Sequence, residues 1–348
     1  MYKNYKVVVN TAAGRRRYLK LLIPQVLNSD IVDRYDLWVN TTDKLDIAFL
    51  ETLAKSFPKI NLIWQPDNIV NGVKSINAFY KFCQDEDTIY IKLDDDVVWI
   101  APNFFEEILA FRISNPEYFL VSPLVINNDI STYLLQNSGK LKLTEYFECT
   151  SYNIKNYNGY FALQLHEWFL KNYLIPGKVD ELYLGKKQIA LNRFAINAVA
   201  WFGKDLKCIK GVVEDDDEEF LTVIYPAIKN LLNCYYCNTV ISHFSFSLQR
   251  KIMDQSNILS CYEKYLNESA DIQLQHNLAF INNILSNVEK NKEQILSQPL
   301  SHPYTQIINS GKSKYNVVLK LLGFDASHRE PLIDIIRKVK KQNRKYIL

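Results

Sequence analysis

Three consecutive aspartates, Asp94 to Asp96, end an apolar, strand-like run and are followed at once by the apolar residues VVWI. Carboxylates one residue apart at a strand end can hold a divalent cation such as Mg²⁺ or Mn²⁺, which prefers oxygen ligands and can bridge to phosphate oxygens. Unpaired carboxylates this close raise one another's pKa, so a cation or hydrogen-bond donors must offset the charge. A solvated acidic turn is the ordinary alternative, but the apolar flanks favour a buried edge.

A second acidic cluster runs from Glu214 to Glu219, where a loop enters a predicted helix. Asp215 or Asp216 could cap that helix, because carboxylates accept backbone N–H bonds and favour the positive helix start. Capping accounts for one or two acids and leaves the others unexplained. A carboxylate that points from such a helix start into a cleft can act as a general base toward a substrate hydroxyl.

His243 lies in the strand-like segment SHFSF. A single histidine in an apolar strand is more often a hydrogen-bonded core residue, yet neutral imidazole also ligates manganese well. Cys234 and Cys237 have the spacing of a metal or redox motif. Residues three apart on a strand point to opposite faces, and the sequence has no second pair at metal spacing, so we expect no metal site there.

A regular alternation of strand-like and helix-like segments must position these residues. The early strands are apolar almost throughout, which predicts a mainly parallel sheet covered by helices on both faces. The aspartates then follow the fourth predicted strand, at the carboxyl edge where open α/β sheets bind ligands. The predicted strands in this part are 5–10, 36–40, 59–65 and 88–93, and the predicted helices are 17–27, 46–57 and one entered from the loop within 71–83.

The later pattern continues the sheet and then becomes helical. Residues 127–160 have weak periodicity and predict a long loop with small elements, and loops of this length are often functional in a compact domain. We predict a sheet domain over residues 1–250, divided into 1–126 and 127–250, and a basic, helical extension over 251–348. The elements expected here are helix 102–115, strands 118–126 and 193–203, a turn leading into a helix over 211–228, and a cysteine-containing strand that ends in SHFSFSLQR.

The ordered set of a DxD motif, an acidic helix start and a later histidine resembles the GT-A glycosyltransferases. The loop before the aspartates strengthens the resemblance, because Gly72 and Asn77 precede a helix and an apolar strand that lead into the DxD motif. The resemblance covers residues 5 to about 250. It implies a Rossmann-like GT-A fold that binds a nucleotide sugar.

The resemblance also implies roles for individual residues. Asp96 corresponds to a direct ligand of Mn²⁺ or Mg²⁺, Asp94 reaches the ribose or the metal, and Asp95 supports the phosphate side. His243 resembles the carboxyl-terminal ligand of the metal or diphosphate. Positions that would contact the nucleotide or brace its loop are Thr11, Asn40, Asp43, Lys74 and Asn77.

For the general base, the resemblance favours Asp217, with Asp216 next, and the run of six acids leaves the register open by one or two residues. Trp201, on the strand before this motif, could stack on an acceptor sugar, although core packing explains it equally well. Arg15 to Arg17 could attract an anionic donor, or could form a solvated helix face.

The implied function is a metal-dependent transfer of sugar from a nucleotide sugar, with a UDP-sugar favoured, to a glycan or other hydroxyl acceptor with inversion. Three alternatives stay open. DDDVV also fits a haloacid-dehalogenase-like, Mg²⁺-dependent phosphatase with Asp94 as nucleophile, although that motif usually ends the first strand of its domain. A nucleotidyltransferase could share the sheet and the acids, but we find no Gly-rich basic signature near the first strand. A non-catalytic module that binds a sugar nucleotide or glycan is the third.

Composition bounds the partners. The 348-residue chain has a formal net charge of +3, which predicts no nucleic-acid partner. No run reaches the roughly 18 apolar residues of a membrane span, and the amino terminus resembles no secretory signal, so a cytoplasmic location with reduced cysteines is expected. Residues 311–348 carry ten Lys or Arg against three acids. Within them, residues 331–345 predict a basic amphipathic helix that could lie on an anionic membrane and meet a lipid-linked glycan, or could pack on its own domain.

Overall fold

The computed structural model describes residues 1–70, 73–150, 153–214, 216–302, 304–306 and 342–348. The strands within them are β1 Lys6–Ala13, β2 Arg34–Val39, β3 Ile60–Ile63, β4 Ile69–Val70, β5 Thr88–Leu93, β6 Val97–Ile100, β7 Tyr118–Ile126, β8 Lys186–Ile189, β9 Ala198–Phe202, β10 Leu232–His243 and β11 Thr305–Gln306.

The described α-helices are α1 Arg16–Leu27, α2 Lys44–Ser56, α3 Val73–Asn77, α4 Phe104–Ser114, α5 Asp129–Asn137, α6 Gly159–Phe169, α7 Gly203–Lys207, α8 Asp217–Glu219, α9 Tyr225–Lys229, α10 Arg250–Asp254, α11 Ile258–Asn267, α12 Ile272–Lys290 and α13 Lys292–Ser297. Short 3₁₀ turns lie at Ala78–Phe82, Ile154–Tyr157 and Val179–Leu182, and π-helical turns at Leu170–Leu174 and Phe220–Ile224.

One large sheet organises the described chain, with strand order β3-β2-β1-β5-β9-β7-β10-β6 and β8 added beside β10. β1, β2, β3 and β5 run parallel to one another, and β7 and β10 run in the same direction because β9 lies antiparallel to both β5 and β7. β6 and β8 are antiparallel to β10. The carboxyl ends of β1, β5, β7 and β10 therefore meet at one edge.

Both faces of this sheet are buried, as the apolar strands predict. Val8 of β1 belongs to one hydrophobic core, whereas its neighbours Val7 and Val9 belong to the other. Cys234 and Cys237 are likewise divided between the two cores, so the C-x-x-C pair does not converge. The predicted fold class is confirmed as an α/β architecture: a mainly parallel sheet covered by helices on both faces and followed by a helical region.

The helices after β10 share the two cores of the sheet. Ile281 and Ile284 of α12 lie in the same core as α1 and α2, and Tyr262 of α11 lies in the other core. The predicted boundary at residue 250 therefore separates parts that share their apolar interior. It stays a prediction as a division between domains.

The small elements expected within residues 127–160 include helix α5, which Asn128 caps by accepting a hydrogen bond from the Ser131 N–H at 3.2 Å. One local prediction differs from the structure. The strand expected over 193–203 begins only at Ala198, and the side chain of Asn197 before it bonds to Asn128 and Asp94. Most of the predicted basic helix 331–345 lies outside the described residues. No helix in the described part of the chain has the length and apolar character needed to span a bilayer.

Candidate functional site

The three aspartates occupy the tight connection between β5 and β6. The Val97 N–H donates to the Asp94 carbonyl at 3.1 Å, and the Asp94 N–H donates to the Asn197 carbonyl at 2.9 Å. His243 is the last residue of β10, and the Phe244 N–H donates to the Asp96 carbonyl at 2.8 Å. Strand order thus brings residues distant in sequence to one edge of the sheet.

Asp94, Asp96 and His243 form a group suited to a metal ion. Their candidate ligand atoms all lie within 4.8 Å of one another. Adjacent ligands of an octahedral cation at about 2.1 Å are separated by about 3.0 Å and opposite ligands by about 4.2 Å, so the three side chains would have to close around the ion to bind it together. Two carboxylates with one imidazole suit Mn²⁺ and also Mg²⁺. The residues therefore fit the ion that the sequence predicts.

The imidazole of His243 has a defined environment. Its Nδ1 lies 3.3 Å from the Asn127 carbonyl, and its Nε2 lies 3.3 Å from Asp96 Oδ1. If Nδ1 carries the ring proton and donates a hydrogen bond to this carbonyl, Nε2 presents a lone pair. Two acceptors then face each other, which is favourable only with a proton or a cation shared between them. Both side chains are almost fully buried.

Arg15 supplies much of the charge that offsets the aspartates. Its Nε donates to both carboxylate oxygens of Asp95, at 2.9 and 3.1 Å, and its Nη1 lies 2.8 Å from Asp96 Oδ2. The Gly14 N–H adds a hydrogen bond to Asp95 at 3.1 Å, and Arg250 lies 3.7 Å from Asp96. Arg15 is therefore not part of a solvated helix face.

Burial and these contacts together shift the pKa values of the two buried carboxylates, Asp95 and Asp96, in opposite directions. Burial raises the pKa of Asp95, although Arg15 opposes the shift. Burial would also raise the pKa of Asp96, but the charge of Arg15 and the contact with His243 outweigh it and hold that pKa well below the ordinary range. Asp96 is therefore the carboxylate most firmly held in its ionised, cation-binding form.

Lys92 is a buried cation two residues before the first aspartate. Its Nζ donates to Asp94 Oδ1 at 2.6 Å and to the Ile196 carbonyl at 2.9 Å, and Asn197 donates to Asp94 Oδ2 at 3.1 Å. Burial alone would lower the pKa of Lys92, but the charges of Asp94 and Asp217 raise it. Lys92 therefore interacts electrostatically both with the metal-binding group and with the acidic helix start.

Two neighbouring acids of the cluster, Asp216 and Asp217, make different contacts at the start of α8. Asp216 is the N-cap residue, accepting from the Glu218 and Glu219 N–H groups, and it pairs with Arg193 at 2.9 Å. Asp217 is 6% exposed and accepts a hydrogen bond from the Tyr80 hydroxyl at 3.0 Å. Burial raises the pKa of Asp217, although Lys92 and Tyr80 oppose the shift. Among the described acids of the cluster, Asp217 and Glu218 both interact electrostatically with Lys92, and Glu218 also pairs with Arg193 at 2.7 Å.

The residues predicted on the nucleotide side lie near the ends of β1 and β2. Thr11 is fully buried with its hydroxyl 3.0 Å from that of Tyr35. Asp43 caps α2 by accepting from the Leu45 and Asp46 N–H groups, so its carboxylate is engaged there. Asn40 is half-buried, and its Oδ1 is a buried atom with no hydrogen-bond partner among the described residues.

The predicted loop before the aspartates is described in part. Asn77 ends α3 and its Nδ2 donates to the Val213 carbonyl at 3.2 Å, which ties this helix to the segment before α8. The predicted roles of Asn77, in contacting the nucleotide or bracing the loop, stay predictions. Lys74 is described only as a residue of α3, and Gly72 lies outside the described residues.

Trp201 does not present a face to an acceptor. It is 1% exposed, and its ring packs 5.8 Å from each of the rings of Tyr80 and Tyr90 in the core. Its position on β9, in the middle of the sheet, places it beneath the site and leaves no ring face open to a sugar. The alternative of ordinary core packing is the correct one.

Comparisons with known proteins give distant likenesses. No protein-family model matches the chain, and no curated protein matches it. CMP:2-keto-3-deoxy-manno-octonic acid synthetase complexed with CTP aligns over 75% of this chain and 100% of its own, at 11% identity and a TM-score of 0.41. A mycobacterial protein aligns over 76% of this chain and 75% of its own, at 13% identity and a TM-score of 0.40. The 4-diphosphocytidyl-2C-methyl-D-erythritol synthase from Anaerococcus prevotii aligns over 74% of this chain and 96% of its own, at 12% identity and a TM-score of 0.39. Likenesses at this level say nothing about what this chain binds or catalyses.

Sequence reasoning missed several side chains that complete the site. Lys92 carries a usable signal, because a charged residue within an otherwise apolar, buried strand requires a partner. Tyr80 and Arg250 carry no such signal, since each reaches its carboxylate through the strand order and not through neighbouring sequence.

Proposed function

We propose that this protein is a metal-dependent, inverting glycosyltransferase of the GT-A type. It moves a sugar from a nucleotide sugar, with a UDP-sugar favoured, to a hydroxyl of a glycan or related acceptor. The observation that supports the proposal is that the candidate ligands Asp94, Asp96 and His243 lie close together, and that the charges of Asp94 and of the buried Asp217 both act on the buried Lys92.

The first group would hold the donor diphosphate through a metal. Asp94, Asp96 and His243 would bind Mn²⁺ or Mg²⁺, which when bound supplies Lewis-acid neutralisation of the departing nucleoside diphosphate. Arg15 and Arg250 present partly exposed guanidinium groups beside Asp96. Such groups bind phosphate oxygens through paired N–H donors. Asn40, directly after β2, would contact the nucleotide.

The second group would activate the acceptor. Asp217 removes the proton of the acceptor hydroxyl as that oxygen attacks the anomeric carbon from the face opposite the departing diphosphate. The raised pKa of Asp217 favours this role, because a carboxylate whose pKa lies closer to neutrality is a stronger base. The Tyr80 hydroxyl holds one oxygen of Asp217 and leaves the other to receive the proton.

Replacement of Asp217 by Asn tests the base. Asparagine keeps the size of the side chain and can still accept the Tyr80 hydrogen bond, so we expect donor binding close to that of the wild type. Glycosyl transfer should fall by about two orders of magnitude or more, the usual contribution of a positioned base. Asp216→Asn, which alters the neighbouring helix cap, is the matched control and should retain most of the transfer rate. Normal turnover by Asp217→Asn would exclude this role.

A donor screen tests the activity itself. UDP-, GDP- and other nucleotide sugars are incubated with Mn²⁺, and release of the free sugar is followed beside an Asp96→Ala control, in which we expect no release. Three further arms separate the alternatives. Fast hydrolysis of a generic phosphomonoester with Mg²⁺ indicates a phosphatase, and pyrophosphate release from a nucleoside triphosphate indicates nucleotidyl transfer. Thermal stabilisation by UDP with Mn²⁺ but without turnover indicates a binding module.

We propose that the acceptor is a glycan, and that it is lipid-linked only if the basic carboxyl-terminal segment binds membranes. Flotation with anionic liposomes tests that condition. The comparison variant replaces Lys338, Lys340 and Lys341 by Gln, since a truncation would also remove Tyr346, which is buried and bonded to Asn158 at 2.8 Å. Equal flotation of the two proteins would contradict membrane contact through this segment.

A further inference from the structure

The three aspartates contact a matching number of basic side chains. Asp94 is paired with Lys92, and Asp95 and Asp96 are bridged by Arg15, with Arg250 at 3.7 Å from Asp96. Three carboxylates thus face three protein cations, and the group is close to neutral without a metal ion. A divalent cation entering alone would add two positive charges to an already balanced, largely buried group, which is unfavourable at low local dielectric.

Arg15 competes directly for an oxygen of the metal-binding group. Its Nη1 lies 2.8 Å from Asp96 Oδ2, and Asp96 is a member of the Asp94, Asp96 and His243 group. Asp96 Oδ1 already faces His243. Every described contact of the Asp96 carboxylate is therefore to a cationic or imidazole nitrogen. A metal ion that binds Asp96 must displace or weaken at least one of them.

The position of Arg15 also allows it to take a new partner. Its side chain is 26% exposed, whereas those of Asp95 and Asp96 are 7% and 4% exposed. The Arg15 side chain is therefore more exposed than the carboxylates that it contacts, so an arriving diphosphate could reach it before them. A diphosphate carries the negative charge that a bare metal ion lacks, and guanidinium binds such oxygens in pairs.

We propose that Arg15 is a built-in counter-cation that opposes binding of the bare metal ion and makes the site take up metal and diphosphate together. On arrival of the metal with a diphosphate, Arg15 exchanges its contact with Asp96 for one with a phosphate oxygen. The inference rests on the proposed function, since it requires a site for a metal and a nucleoside diphosphate. It adds a coupling between the two ligands: neither the metal ion nor the diphosphate binds tightly until the other is present.

Two measurements on the full chain test this coupling. Binding of Mn²⁺ alone is measured by the electron paramagnetic resonance signal of the free ion. Binding of radiolabelled pyrophosphate, a diphosphate without a base or sugar, is measured by equilibrium dialysis with and without Mn²⁺. The variants are Arg15→Gln, Arg15→Lys and Arg17→Gln, the last being a control because Arg17 pairs with Asp254 outside the aspartate group.

In the wild type we expect weak Mn²⁺ binding and at least about tenfold tighter pyrophosphate binding when Mn²⁺ is present, within the usual range of coupling between two ligands. Arg15→Gln should bind bare Mn²⁺ about tenfold more tightly and should lose most of the coupling. Arg15→Lys, which keeps the charge, and Arg17→Gln should bind bare Mn²⁺ as the wild type does.

The outcomes separate the inference from the proposed function. If the wild type binds Mn²⁺ and pyrophosphate but Arg15→Gln binds bare Mn²⁺ equally or less tightly, Arg15 only shapes the aspartate turn and the inference is wrong. Equal tightening in Arg15→Lys and Arg15→Gln would overturn it also, because the charge would then be irrelevant. If the wild type binds Mn²⁺ under neither condition, the metal site of the proposed function fails, and the inference fails with it.

Discussion

Replacement of Lys92 by Met is the sharpest test of how the site is held together. Methionine keeps the unbranched, apolar stem of the buried lysine and removes its ammonium group. The Ile196 carbonyl then loses its 2.9 Å donor, and the Asp94 carboxylate loses a 2.6 Å charge-assisted bond while keeping the Asn197 bond at 3.1 Å. Asp217 loses the nearest cation that opposes the rise in its pKa.

The expected cost follows from burial. Removing one partner of a fully buried ion pair costs about 3–5 kcal/mol, because the other charge is left uncompensated. The side chain of Asp94 is 26% exposed and that of Lys92 is 6% exposed, so water can compensate part of the loss. We therefore expect the free energy of unfolding to fall by about 2–3 kcal/mol, which lies below the fully buried range. Urea denaturation at pH 7 measures it.

Two further variants make the result interpretable. Lys207→Met removes an exposed lysine that pairs with the exposed Glu86, and it should unfold as the wild type does. Lys92→Met with Asp94→Asn removes both members of the buried pair and should recover part of the lost stability, since no unpaired charge remains. A loss below about 0.5 kcal/mol in Lys92→Met, or no recovery in the double variant, would refute the reasoning.

Three other changes give distinct expectations. His243→Ala should weaken Mn²⁺ binding at least tenfold in the presence of pyrophosphate, because loss even of an outer partner of a metal ligand costs about 10–100-fold; unchanged binding would remove His243 from the metal site. Burial raises the pKa of Asp129 to about 6, so the folded protein holds a proton that the unfolded chain has released, and stability declines as pH rises from about 4 through about 6. Asp129→Asn should remove that decline, worth up to about 3 kcal/mol above pH 7, and a flat difference between the two urea stability curves over pH 4–8 would contradict the assignment. Trp201→Ala should destabilise the protein by about 3–5 kcal/mol, whereas Trp201→Phe should leave the KM for acceptor unchanged; a raised KM at unchanged stability would restore an acceptor role for this ring.

The sequence alone determined the architecture and the place of the chemistry. Apolar strands that alternate with helices require a mainly parallel sheet buried on both faces, and that pattern is local enough to be read without coordinates. The position of Asp94 to Asp96 at the end of such a strand places them at the carboxyl edge of the sheet. The opposite orientations of Cys234 and Cys237 follow equally from the period of two along a strand.

Tertiary structure decided what surrounds those carboxylates. Strand order, which no local pattern encodes, brings His243 to Asp96 and allows Arg15 and Lys92 to neutralise the group, where the sequence suggested an added metal ion or unspecified donors. Whether residues 127–160 form a loop or contain a helix also depended on packing against the sheet.

The general-base candidate and the aromatic residue show the same division. Six successive acids cannot reveal which one caps the helix, and the start of α8 assigns the cap to Asp216 and directs Asp217 inward toward Tyr80 and Lys92. A tryptophan on a strand can face a ligand or the core, and only the flanking rings decide for Trp201. Sequence periodicity specifies which side of an element a residue occupies, whereas its neighbours there come from elements far along the chain.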